Sequence, residues 1–203
     1  METRDKILKT SIELFNNQGV HSVGVREIAR ALGISPGNLS YHFPKKADII
    51  LALMDALSEG NNKCYAAYAK GPVSLQSFLH LYEGMFSNQF KFRGLLIGNT
   101  EITQLLQKKY DYNKIYERRV SQLRSILDGL IQADLVRLTE SGQEMFLSYL
   151  TFFGRSWIHE SFIYHQHRNS AASDAIGHYL KLLKWQLSLI ATEKGRGQLE
   201  EVE

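Results

Sequence analysis

Asn38, Tyr41, His42 and Lys46 lie close together in the chain and share one kind of chemistry, hydrogen bonding and charge pairing to a polyanion. The Lys46 ammonium and the Tyr41 hydroxyl are donors that phosphate oxygens accept, and such contacts set register while carrying little sequence information. Asn38 is the residue here whose amide can pair bidentately with an adenine edge, and Gly37 lets the backbone come close. Base recognition by this segment is therefore expected to be sparse and partly shape-based. His42 fits either a phosphate contact or a cap or packing role. Tyr41 has packing beneath its helix as an alternative, Phe43 is expected to pack there, and Lys45 reads as a solvated surface charge.

Those side chains need a short, well-defined helix. Ser35 is a good N-cap and Pro36 a good first helical residue, so a helix is expected from Pro36 to about Phe43, ended by Pro44. Its free N-terminal amides and dipole add to the attraction for anions. The helix before it begins near Gly24, with Glu27 as the capping carboxylate, carries Val25, Ile28, Ala29 and Leu32, and stops at Gly33. An earlier helix runs from about Thr3 to Asn17 with Leu8, Ile12 and Phe15 on one face, and Gly19 ends it. Two helices of two turns joined by a tight glycine-containing turn have the spacing of a helix-turn-helix, whose second element enters the major groove.

Charge agrees with this placement. Residues 1–46 hold seven basic side chains (Arg4, Lys6, Lys9, Arg26, Arg30, Lys45, Lys46) against four acids, which accounts for the whole formal excess of +3. Three prolines, abundant helix formers and no run of alternating Val, Thr and Ile predict an all-α fold. The lone Cys64 has no internal disulfide partner, the N-terminus lacks the apolar core of a signal peptide, and no apolar run is long enough to span a bilayer; a cytosolic protein is expected. A phosphate-binding glycine loop, a nucleophile elbow, a HExxH pair and a Ser/His/Asp arrangement are all missing, which argues against an enzyme.

The run Ile7-Leu8, Leu14-Phe15, Gly19, Val25-Arg26-Glu27-Ile28-Ala29, Leu32-Gly33-Ile34-Ser35, Gly37-Asn38-Leu39, Tyr41-His42-Phe43 and Lys46 resembles the N-terminal domain of the TetR (tetracycline repressor) family. The resemblance implies that the helix over about 36–42 is the recognition helix. It implies that Pro36, Gly37, Asn38 and Ser40 face base edges, that Tyr41 and His42 touch phosphate or sugar, and that Lys46 grips a phosphate. Arg26 takes the position of a base or backbone contact. Gly24 departs from the family, which often has a helix-capping threonine there. The segments from Phe90-Lys91-Phe92 through Tyr112 to Val136 are similar, more loosely, to a C-terminal domain variant found in part of the family.

Three regions follow: a helix-turn-helix domain over 1–46, a helical ligand-binding and dimerisation domain over 47–195, and a disordered tail over 196–203, which is acidic and glycine-containing. Long amphipathic helices are expected over about 48–69, from Leu75 through Phe86, and over about 112–134. Ser141 with Glu144 reads as a capping box opening the next helix. Near the C-terminus Ile176, Leu180, Leu183, Leu187 and Ile190 form one apolar stripe, and Leu182, Trp185 and Leu189 a second. One stripe can face the core and the other needs a partner, so a homodimer through two helices per subunit is expected. Phe146, Leu150 and Phe153, with Ile176, Leu180, Leu183 and Leu187, are assigned to that interface. A two-fold assembly holding two recognition helices ~34 Å apart predicts a palindromic double-stranded operator.

In the family a small molecule bound in the C-terminal domain shifts the helix after the DNA-binding domain, here about 47–69; the ligand can favour release or, as a co-repressor, the reverse, and the family's habit makes a ligand-released repressor the expected function. Aromatic residues other than Phe15, Tyr41 and Phe43 all fall beyond residue 46. Phe78, Tyr82, Phe86, Phe90, Tyr116, Phe152 and Trp157 are candidates for the pocket wall, with His159 or Arg155 as a polar anchor, and ordinary helix packing is the alternative for each. The effector would be largely apolar. A second reading keeps the fold but replaces the effector with a protein partner. His159, His165 and His167 suggest a metal cluster, yet no Cys, Asp or Glu stands at tight ligand spacing and 164–173 reads as a polar loop, so neither a metal site nor a cofactor is expected.

Overall fold

A computed structural model describes residues 2–97, 100–166 and 172–200. The chain forms α1 (Thr3–Gln18), α2 (Val25–Leu32), α3 (Pro36–His42), α4 (Lys46–Lys70), α5 (Leu75–Lys91), α6 (Arg93–Leu96), α7 (Thr100–Lys109), α8 (Tyr112–Gln132), α9 (Glu140–Gln166), α10 (Ala172–Ser188) and α11 (Glu193–Glu200). The fold is all-α; among the described residues the single extended pairing is an isolated antiparallel bridge between Val136 and Ala191.

The helices sort into two compact units. One comprises Met1–Gly60 and Asn88–Tyr110, the other Asn61–Ser87 and Asp111–Glu203. The first is larger than the 1–46 segment expected from the sequence. Its core joins Ile7, Phe15, Ile28 and Leu39 to Ile49, Ile50, Leu53 and Leu57 of α4, and also to Phe92, Leu95, Ile102 and Leu106 from much further along the chain. Burial of these apolar side chains, at roughly 1.5–3 kcal/mol each, is what makes α1–α3 a folded unit instead of three marginal short helices.

Within the second unit, α8, α9, α10 and α11 pack in sequence. Asp111 caps α8, its Oδ1 accepting from the backbone N–H groups of Asn113 and Lys114 at 3.1 and 3.2 Å. The cap of α9 differs from the expected Ser141 and Glu144. Thr139 Oγ1 accepts from Gly142 N–H at 3.1 Å, while Glu144 takes two bonds from the Arg124 guanidinium at 2.6 and 3.0 Å.

The C-terminal segment also departs from expectation. Instead of a tail frayed from 196, α11 runs to Glu200 with Leu199 buried, and Gln198 Oε1 accepts from Leu75 N–H at 2.9 Å. Thr192 anchors its start, donating from Oγ1 to the Asp134 carbonyl at 2.7 Å and accepting from Gly195 N–H at 3.1 Å. Of the expected polar loop over 164–173, residues up to Gln166 belong to α9 and those from Ala172 to α10, and 167–171 lie outside the described residues.

Candidate nucleic-acid interface

The turn leading into α3 is fixed by backbone chemistry. Gly33 adopts a left-handed conformation (φ 67°, ψ 28°), which costs a residue with a Cβ and suits glycine. It lets Ile34 N–H reach the Ala29 carbonyl at 3.0 Å and Gly33 N–H reach that of Arg30 at 3.1 Å, closing the end of α2 in a Schellman turn. Ser35 then caps α3, its Oγ accepting from Asn38 N–H at 3.1 Å, with Pro36 in the first turn. At the start of α2, Glu27 Oε2 accepts from Gly24 N–H at 3.0 Å; glycine lacks the side chain that would complete the reciprocal half of the box.

Only Leu39 of α3 is buried, together with Phe43 just after it, and the Arg4 guanidinium lies 5.2 Å from the Phe43 ring centroid. Pro36, Gly37, Asn38 and Ser40 are exposed, as is Arg26 on α2, and Tyr41 is 84% exposed. Packing is thus excluded for Tyr41 in this unit and found for Phe43. His42 is half-buried, edge-on to Tyr41 with ring centroids 5.3 Å apart. Lys46 is placed differently from a free phosphate ligand: its Nζ donates to the Val20 carbonyl at 2.6 Å, bracing the loop before α2. An ammonium has three donors, so that bond leaves capacity for a phosphate oxygen. Lys45 is exposed, and its backbone N–H donates to Asp48 Oδ2 at 2.9 Å, capping α4.

The proposed pocket residues divide sharply. Phe78, Tyr82, Phe86 and Trp157 are fully buried and pack ring on ring, with centroids 5.1 Å apart for Phe78 and Tyr82, 5.6 Å for Tyr82 and Phe86, and 4.4 Å for Phe86 and Trp157. Tyr116, Phe152, Arg155 and His159 are exposed and do not line this cluster, and Phe90 belongs to the first unit, where Arg93 stacks on it at 4.7 Å. Tyr149, Phe153 and Tyr179 complete the cluster. The spacing of Tyr149, Phe153 and Trp157, successive turns of one helix face, was the signal for it in the sequence. Burial pushes the Tyr82 phenol well above its ordinary range, with the neighbouring phenols of Tyr65 and Tyr149 adding to the effect.

The residues expected at a dimer interface also divide by burial. Phe146, Leu150, Leu183 and Leu187 are buried within the subunit, Phe153, Ile176 and Leu180 are half-buried, and Phe153 sits among the aromatic rings. The four buried ones face the core from the inner side of α9 and α10. The apolar surface left outside is the other stripe, Leu182 and Trp185 on α10 with Leu189 in the turn just after it, and Met145, Phe152, Phe162 and Ile163 on α9. Phe152 is 69% exposed and Trp185 61%, unusual for such large side chains.

Of the discounted histidines, His159 is exposed, the side chain of His165 and all of His167 lie outside the described residues. Among the described residues no group of three or more His, Cys, Asp or Glu is placed to hold a metal ion, and no helix is long and apolar enough to cross a membrane.

A short helix anchored by Leu39, with every residue of its other face turned outward and a glycine turn linking it to the helix before, defines a helix-turn-helix protein. Residues 7–53 match the family model described as bacterial regulatory proteins, tetR family. The "Probable HTH-type transcriptional regulator YttP" of Bacillus subtilis is 30% identical over 139 residues, covering 60% of this chain and 67% of its own. A TetR-family transcriptional regulator from Marinobacter aquaeolei superposes with a TM-score of 0.83 at 22% identity, over 100% of this chain and 97% of that one. The complex of SmeT with triclosan superposes at 0.68 and 12% identity, over 94% and 92%. The chain belongs to the TetR family and is a transcriptional regulator, not an enzyme.

Proposed function

We propose that this regulator is a homodimeric repressor that occupies a palindromic operator through α3 and is released from it by a small, largely apolar ligand. The observation that carries the DNA-reading part is the division of α3 between a buried Leu39 and an exposed face of Pro36, Gly37, Asn38, Ser40 and Tyr41. Asn38 reads a base edge, Tyr41 and Lys46 hold phosphates, and Arg26 and His42 assist from the flanks. Dimerisation uses the outward apolar stripes of α9 and α10, whose exposure in a single chain would otherwise favour aggregation. Most of the family are ligand-responsive repressors, and SmeT takes triclosan, an apolar aromatic molecule. Here the buried rings around Tyr82 and Phe86 supply the matching chemistry. For release, the ligand must bind more tightly to the conformation that holds DNA poorly.

A second reading, in which a protein partner replaces the ligand, is favoured by the direct ring-on-ring packing of Phe86 and Trp157 at 4.4 Å. Selection of bound duplexes from random DNA, followed by titrations at several salt concentrations, tests the main reading. It expects a palindromic site, log K falling with log salt, and relaxed specificity for Asn38→Ala. If no duplex is enriched at low salt, the reading fails. Apolar compounds that release the selected duplex argue for the effector, and a captured protein that forms a ternary complex argues for the alternative.

A further inference from the structure

The outward face of α3 is only as well placed as the core behind it, and residues far along the chain close that core. Phe92, Leu95, Ile102 and Leu106 are buried in it, and side-chain bonds pin the same segment to α1 and α4. Asn16, near the end of α1, uses both ends of its amide. Its Nδ2 donates to the Lys91 carbonyl at the end of α5 at 2.9 Å, and its Oδ1 accepts from Gly94 N–H in α6 at 2.8 Å. Asn88 Nδ2 donates to the Leu57 carbonyl at 2.9 Å, and the Tyr110 hydroxyl donates to Asp55 Oδ1 at 2.5 Å.

Gly94 is what allows the approach. A Cβ there would stand 2.5 Å from the Phe15 carbonyl carbon and 2.7 Å from Asn16 N, so any side chain would force α6 off the backbone of α1. The Asn16 site is equally selective, since a carbonyl on one side and an N–H on the other are matched only by a group that donates and accepts. A carboxylate would keep the bond to Gly94 and repel the Lys91 oxygen.

We infer that Asn16 and Gly94 form a latch that positions α1, and through the shared core α2 and α3, for DNA, so that closing the latch and engaging the operator are coupled. The inference rests on the DNA-binding reading above. Lys91 is the last residue of α5, the helix that also carries Phe78, Tyr82 and Phe86. The carbonyl that Asn16 holds is therefore the end of that helix, and it cannot shift without loosening the bond. Asn16 is a positioning residue: its amide is spent on Lys91 and Gly94, and its loss removes no phosphate contact.

The test uses full-length wild type, Asn16→Ala and Asn16→Asp with a duplex obtained by selection on the wild type. Affinity is measured against salt, and amide exchange is followed in the peptide covering 91–97 with and without the duplex. Coupling requires that the duplex slow exchange there in the wild type. Asn16→Ala is expected to bind about tenfold more weakly with an unchanged salt slope and to lose the duplex-induced protection, with Asn16→Asp in between. Wild-type affinity in folded variants, or weakened binding with the protection change intact, overturns the latch. If circular dichroism shows Asn16→Ala unfolded, Asn16→Asp decides by the same criteria. Failure of the wild type to select any duplex defeats the DNA-binding reading instead.

Discussion

Lys46 shows how neighbours qualify what a residue type promises. Its charge was legible in the sequence, but the bond to the Val20 carbonyl, 26 positions away, was not, because no local pattern encodes it. Ser35, Pro36 and Gly33 were legible because their effects act within a turn or two of the chain. Lys46→Ala is expected to lower unfolding free energy by about 1 kcal/mol in urea titrations, through the lost brace. It should also make the slope of log K against log salt shallower by about one, through the lost phosphate. Tyr82 gives a pH signature. Its phenol is raised above the ordinary value of 10.0, so the stability it contributes is complete below that pH and declines as pH rises through 10.0 toward the higher folded value. Urea midpoints measured between pH 8 and 11 should fall at the alkaline end, and Tyr82→Phe should flatten that limb.

At the scale of elements, the two apolar stripes of α10 are legible in the sequence, but which one turns inward is not. Helical periodicity places Leu183 and Leu187 on one side and Leu182, Trp185 and Leu189 on another, but both sides are apolar, and only the packing of α9 against α10 separates them. Composition misled at α11 for a related reason: glycines and acids dominate the segment, and the side chains that anchor it, Thr192, Gln198 and Leu199 among them, form no pattern. Leu199→Ala should cost about 2–3 kcal/mol in the urea-induced transition, whereas a frayed tail would show no change. The aromatic cluster was half legible, since Phe78, Tyr82, Phe86 and Trp157 share it while Phe152, one position from Phe153 and therefore about a quarter-turn round the helix, points away.

For the whole molecule, the proposed two-fold assembly ties the surface of α9 and α10 to the spacing of two copies of α3. Replacing Phe152 and Trp185 with glutamate should leave the helical signal and melting cooperativity intact while converting the species seen by sedimentation from dimer to monomer. Operator affinity should drop by at least a hundredfold, as each half-site would then be bound alone. A variant that stays dimeric would move the interface elsewhere. The division of the chain was the least legible feature: punctuation marks an end to the helix-turn-helix near residue 46, but the core draws in residues 88–110 through contacts that no window of sequence spans.

That discontinuity sets a schedule for synthesis. Polypeptides are made at roughly 5–20 residues per second, so several seconds separate the emergence of Gly60 from that of Tyr110. Throughout that interval the nascent α1–α4 segment presents Phe15, Leu53 and Leu57 without the side chains that will cover them. The DNA-reading part is translated before the segment that completes its core, and the wait is when a chaperone or a neighbouring nascent chain has its best opportunity to bind it.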